Sequence, residues 1–277
     1  IKTARPSGVS MVKFMSAIGL VLLALVLPAL HACDTSDEVS CPPGWSCCFN
    51  QYSPANKTGC APPGSDGCCT VGPPKPASTT LPNCLVIGDS VSIGYTGDVA
   101  KALESVCQVQ HGPWDVSNGG AGTTAQGLEC LPLYLNTSKS EPIKWDVIQF
   151  NFGLHDLDNS TSAEATYKQQ LGQIADELLK TGAKLQYALT TPYRPYGAHG
   201  NPVVAELNYI ATTLMINRSI PLVDLNTRVH DYCGVNYTDC SICRMHPCSF
   251  HYTPEGYAWI ATPVIDFFKK QLGVPLS

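Results

Sequence analysis

Leu85-Val86-Ile87-Gly88-Asp89-Ser90 joins three apolar residues to a turn that ends in a hydroxyl. An unbroken apolar run of this kind is a short strand covered on both faces, as in a parallel sheet. The serine then falls at the strand's carboxyl end, where open α/β sheets keep their reacting groups. Gly, Asp and Ser also build ordinary turns, so the context has to come from the rest of the chain.

Downstream, strand and helix signals alternate. Val99 to Val106 has helical spacing, and Val109 opens a second strand ending near Val116. Trp145 to Phe152 is the clearest buried strand. Ala163 to Lys180 reads as an amphipathic helix with Leu171, Ile174, Leu178 and Leu179 as its apolar stripe and Gly182 as its stop. Lys184 to Thr190 is a strand, Val203 to Ile216 a helix, Ile220 to Val223 a last strand, and Pro254 to Leu272 a closing helix. This order predicts an α/β fold, a parallel sheet with helices on both faces.

Upstream the composition changes. Residues 33–70 hold Cys33, Cys41, Cys47, Cys48, Cys60, Cys68 and Cys69 with little apolar sequence between them, so that segment must rest on crosslinks. Cys41 to Cys48 resembles the opening of a granulin-type repeat, and Trp45, Phe49 and Tyr52 are expected to shield the crosslinks. Residues 71–83 are Pro-rich and read as a spacer, and residues 84–277 form the large domain. That domain carries Cys84, Cys107, Cys130, Cys233, Cys240, Cys243 and Cys248, again an odd number. Full pairing of the fourteen cysteines therefore needs a bridge between the halves, with Cys84 the expected anchor.

Residues 1–32 read as a leader and secretory signal, with Met11 as start, Lys13 before the uncharged run Phe14 to Leu30, and cleavage near Ala32. A signal anchor is the rival. Sequons at Asn56, Asn136, Asn159, Asn217 and Asn236 agree with secretion and would mark five surface positions. An oxidising compartment makes disulfides the default. The spacing of Cys240, Cys243, His246 and Cys248 would also suit zinc, but secretion favours disulfides and no metal. The net charge of −5 argues against nucleic acid or an anionic membrane as partner, and no stable membrane insertion is expected once the signal is cut.

A serine hydroxyl needs a base to take its proton and donors for the oxyanion it creates. Ser90 is the candidate nucleophile and His251, on the loop before the last helix, the candidate base. Two further loops offer donors: Ser117 to Thr124, rich in glycine, and Gly153-Leu154-His155-Asp156. These four segments, in this order, resemble the blocks of the SGNH or GDSL hydrolases, serine esterases on a flavodoxin-like three-layer α/β/α sandwich.

The resemblance implies an acyl-enzyme on Ser90, with His251 as base and no cofactor. It implies an oxyanion hole from Ser90, Gly122 (with Gly120 a near alternative) and His155, which stands where the superfamily has asparagine. The Gly-Leu-His-Asp variant resembles a branch labelled carbohydrate or sialate-type O-acetylesterases, which implies a small-molecule or glycan ester as substrate. The family's usual Asp three residues before the histidine is Cys248 here. The orienting group is then a backbone carbonyl or another acid such as Asp239 or Asp231, while Asp89 and Asp156 are expected to fix loop backbones. The rival reading is a catalytically weak glycan-binding protein on the same scaffold.

Overall fold

The structure, a computed structural model, describes residues 41, 44–49, 58–61, 63, 69, 76–113, 120–136, 142–158, 160–193, 200–234 and 239–275. The leader and signal, the sequons at Asn56, Asn159 and Asn236, and Asn118 of the glycine loop lie outside them. Among the described residues no helix is long and apolar enough to cross a membrane.

Strands β3 (Asn83–Ile87), β4 (Gln108–Gly112), β5 (Val147–Phe150), β6 (Lys184–Ala188) and β7 (Leu222–Val223) form one parallel sheet in the order β4-β3-β5-β6-β7. This is the flavodoxin-like order, whose direction of winding reverses between β3 and β5. Alternate side chains serve two cores. Leu85, Ile87, Ile148, Phe150, Leu185 and Tyr187 face α2 (Thr124–Tyr134), α3 (Thr161–Lys180) and α4 (Gly200–Asn217). Cys84, Val86, Val147, Ala188 and Val223 face α1 (Ser90–Ala102), α5 (Leu225–Cys233) and α6 (Pro254–Leu272). Complete burial of a side chain such as Phe150 contributes about 2 kcal/mol, and both faces of the sheet are packed this way.

The expected elements are present with shifted ends. The first helix starts at Ser90 rather than Val99 and stops at Ala102, and α2 and α5 were not anticipated. β4 ends at Gly112, short of Val116. On α3, Leu171, Ile174 and Leu178 are buried as expected, but Leu179 is 43% exposed and leaves the stripe.

Ahead of the sheet, β1 (Ser46–Phe49) and β2 (Thr58–Ala61) pair antiparallel, with Cys41 bonded to Cys60. Trp45 packs on the core that includes Cys41, Cys60 and Cys69. The bridge to the large domain runs from Cys69 to Cys130 on α2, so the expectation that Cys84 anchors it is corrected. Cys84 is a free, buried thiol beside the free Cys107; a side-chain hydrogen bond with that neighbour and then burial hold its pKa far above the ordinary range. A second correction concerns Asn136, which is only 6% exposed and does not mark a surface position; Asn217 is exposed.

Candidate active site

The reversal point of the sheet gathers three loops. β3 runs into Gly88-Asp89-Ser90, and Asp89 caps α1: its Oδ1 accepts the Val91 N–H at 2.8 Å. Ser90 is therefore the first helical residue, its backbone fixed by the strand on one side and the helix on the other. Asp89 is buried, which pushes its carboxyl pKa upward against the Val91 hydrogen bond and the nearby His155.

The glycine loop lies directly on this turn. Gly120 bridges to Asp89 with φ +76°, and a Cβ there would sit 2.2 Å from the Gly88 carbonyl oxygen. Ala121 donates its N–H to that carbonyl at 2.8 Å. Gly122, at φ +66°, makes the turn into Thr123, whose hydroxyl caps α2. Gly120 is thus committed to close packing, and Gly122 is the glycine that follows it toward the helix start.

From β5 comes the third loop. The Phe152 carbonyl accepts hydroxyl hydrogen bonds from Tyr187 at 2.6 Å and Tyr167 at 2.9 Å, and this fixes the exit of the chain. His155 follows, exposed at the loop's tip. Asp156 then reaches across to α2, its Oδ1 accepting the Thr124 N–H at 2.9 Å and the Thr124 hydroxyl at 2.7 Å. A carboxylate at a helix N-terminus is favourable electrostatically, and here it ties the His155 loop to the glycine loop. Burial raises the Asp156 pKa against those two bonds. Asp89 and Asp156 both fix loop backbones, as the sequence suggests.

His251 arrives from the other end of the chain. Its Nε2 is 2.9 Å from Ser90 Oγ, across a sequence separation of 161. The imidazole packs edge-on against Phe250, ring centroids 4.3 Å apart, and Phe250 in turn packs on Tyr193. The backbone that leaves the histidine is pinned twice: Arg244 donates its N–H to the His251 carbonyl at 2.9 Å and Thr253 to the Ile242 carbonyl at 2.8 Å. The strap these bonds reach is closed by the disulfides Cys233–Cys240 and Cys243–Cys248. The sulfurs of Cys233, Cys240 and Cys243 cluster within 4.8 Å but are used in those bonds.

Asp231 and Asp239 are both exposed, and neither is among the charges acting on His251. Burial first, then Arg244 and His155, lower the His251 pKa below its ordinary 6.5. Sequence reasoning missed Arg244, whose proximity depends wholly on the strap. The structure brings Ser90 and His251 into contact, lays Gly120 and Ala121 on the Gly88-Asp89 turn, and brings His155 near enough to act electrostatically on His251; the two acids are not among the charges it brings there.

Beside His155 opens a cleft of about 1040 Å³, its walls including Thr123, Asp156, Ser160, Thr166, Gln170 and Tyr193. Hydroxyl, amide and carboxyl groups stand there beside the apolar Ala125, Leu154, Leu157, Ala163 and Val203, and the volume accommodates a small ligand.

The sequence profile of the GDSL-like lipase/acylhydrolase family matches residues 86–259. No curated protein sequence matches the chain. Among solved structures, a lipase/acylhydrolase from Enterococcus faecalis superposes with a TM-score of 0.55 at 19% identity, covering 71% of this chain and all (100%) of that one. A carbohydrate acetylesterase family member from Sinorhizobium meliloti gives 0.52 at 16% identity, covering 70% and 100%. An acetyl xylan esterase gives 0.53 at 12% identity, covering 67% and 98%. At these identities the likeness is one of fold.

Proposed function

The chain belongs to the GDSL-like lipase/acylhydrolase family and is an ester hydrolase, and from that premise we propose that it removes short acyl groups, acetyl first among them, from carbohydrate esters through an acyl-enzyme on Ser90. The observation that carries the reading is the 2.9 Å contact between Ser90 Oγ and His251 Nε2.

In the proposed reaction His251 Nε2 takes the Ser90 proton as Oγ attacks the ester carbonyl. The oxyanion forms against the N–H groups of Ser90 and Gly122 and the imidazole N–H of His155, a set of donors aimed at charge that exists only after attack. His251 then returns its proton to the departing alcohol, and water, activated by the same nitrogen, releases the acid. No step draws on a metal or organic cofactor. The imidazole is held by the pinned strap and the Phe250 ring in place of a carboxylate.

The carbohydrate preference is supported by the hydroxyl, amide and carboxyl groups among the walls of the cleft beside His155, since sugar hydroxyls pair readily with such groups. The exposed Asp158 lines the same cleft, its carboxyl held below the ordinary carboxylate range by hydrogen bonds from Ser160, and it disfavours a carboxylated sugar, which speaks for a neutral glycan over a sialate. Secretion is supported by the leader-like sequence and by four disulfides among the described residues, since such bonds persist in oxidising compartments.

The test is a fluorophosphonate probe together with 4-nitrophenyl acetate and acetylated xylo-oligosaccharides. Wild type should be labelled and should turn over both esters, while Ser90→Ala should do neither. An unlabelled, inactive wild type that still binds glycans would replace the esterase reading with the binding-protein one.

A further inference from the structure

Beneath the Ser90 turn runs a buried chain of hydrogen bonds that no step of the proposed reaction uses. Ser92 Oγ lies 2.7 Å from His111 Nε2 and 2.7 Å from the Asp89 carbonyl oxygen. On the far side of the ring, His111 Nδ1 is 3.1 Å from the Pro113 carbonyl oxygen. A carbonyl only accepts, so Nδ1 carries the hydrogen and Nε2 offers a lone pair. The single Ser92 proton is then shared between the imidazole and the Asp89 carbonyl. Both side chains are buried, 2% exposed for Ser92 and 7% for His111. Burial lowers the His111 pKa to about 4, which keeps the ring neutral in ordinary buffers.

The chain takes hold of the backbone on either side of Ser90, at Asp89 just before it and at Ser92 two residues after it. Asp89 is held through its carbonyl, and Ser92 through its hydroxyl. Gly88 is packed onto the same hydroxyl, because a Cβ there would stand 2.7 Å from Ser92 Oγ. His111 sits opposite Val86 at the end of β4, so the bond crosses from the sheet to the first turn of α1. Shut away from solvent, the pair cannot meet an ester itself.

We propose that His111 and Ser92 are positioning residues: they tie the end of β4 to the first turn of α1 and so set Ser90 Oγ at bonding distance from His251 Nε2. The proposal rests on Ser90 being the nucleophile. Loosening this tie moves the reacting oxygen relative to its base, an error of position that lowers turnover without altering substrate binding.

The experiment measures kcat, KM and fluorophosphonate labelling rate on 4-nitrophenyl acetate, with thermal unfolding as a check on folding. Glutamine can place a polar atom near the Nε2 position, whereas asparagine reaches only the Nδ1 position. His111→Asn and Ser92→Ala are each expected to lower kcat and labelling about tenfold with KM within about twofold. The double variant should be no worse than either single, because both break one link. His111→Gln should return kcat to within about threefold of wild type.

Full kcat in the Asn and Ala variants, a loss confined to KM, multiplicative losses in the double variant, or Gln as poor as Asn would each overturn the proposal. If His111→Asn does not fold, Ser92→Ala, which deletes one oxygen, decides alone. An inactive, unlabelled wild type sinks the esterase reading and this one with it. An active wild type with a dead Ser90→Ala and a fully active Ser92→Ala sinks only this one.

Discussion

Ser90 and His251 touch, yet opposite kinds of structure deliver them. Ser90 is held from inside the sandwich, by β3, by the α1 cap and by the buried Asp89, Ser92 and His111. His251 is held from outside, by a strap with two closely spaced disulfides and two backbone hydrogen bonds. The position of the proposed nucleophile is thus a property of the hydrophobic core, while that of the proposed base is a property of covalent closure. A family that ordinarily places an acid near its histidine here has Cys248 in that place, and that cysteine is half of one staple.

The largest effect that probes this difference is on the core-held side. Ser90→Ala should lower kcat by roughly 10⁴-fold or more, as loss of a serine nucleophile does, with the fold intact by thermal unfolding. On the strap side, Cys243→Ser with Cys248→Ser should cost ~2 kcal/mol of stability for so short a loop. The same pair of changes should lower kcat by roughly 10²-fold through displacement of His251, read by steady-state kinetics at a temperature where the variant is folded. Unchanged kcat there would mean that the strap orients nothing.

A smaller effect comes from Arg244. His251 must be neutral to act as a base, and a neighbouring cation disfavours its protonated form. The acid limb of kcat/KM should therefore fall below pH 6.5 in wild type, and Arg244→Gln should move it upward. Smallest of all, Asp231→Asn and Asp239→Asn should each keep activity within about twofold, since surface changes remote from the chemistry cost little. A large loss in either would assign the orienting acid and erase the contrast between the two sides.

Much of this molecule was legible in its sequence. The buried strands announce themselves as apolar runs, and α6 is bounded as expected because Thr253, Pro254 and Gly273 are strong end signals. The first half of α1 and the whole of α2 escaped notice for a physical reason. Gly94 and Gly127 look like breakers, but a Cβ at either would stand 2.2 Å from a ring, of Tyr257 and of Phe152 respectively. They are points of close packing between layers. The four loops of the site were readable as ordered blocks. What was not readable depends on contacts between distant segments: His111 under Ser92, Asp156 on Thr124, and Arg244 beside His251.

The bond between Cys69 and Cys130 has a consequence for the chain as a whole. It fastens the amino-terminal hairpin segment to the helix that begins just after Gly122. A proteolytic cut in the Pro-rich stretch after residue 70 would therefore release nothing. The two pieces would travel as one particle and separate only under reductant, a processed two-chain protein held together by one cystine.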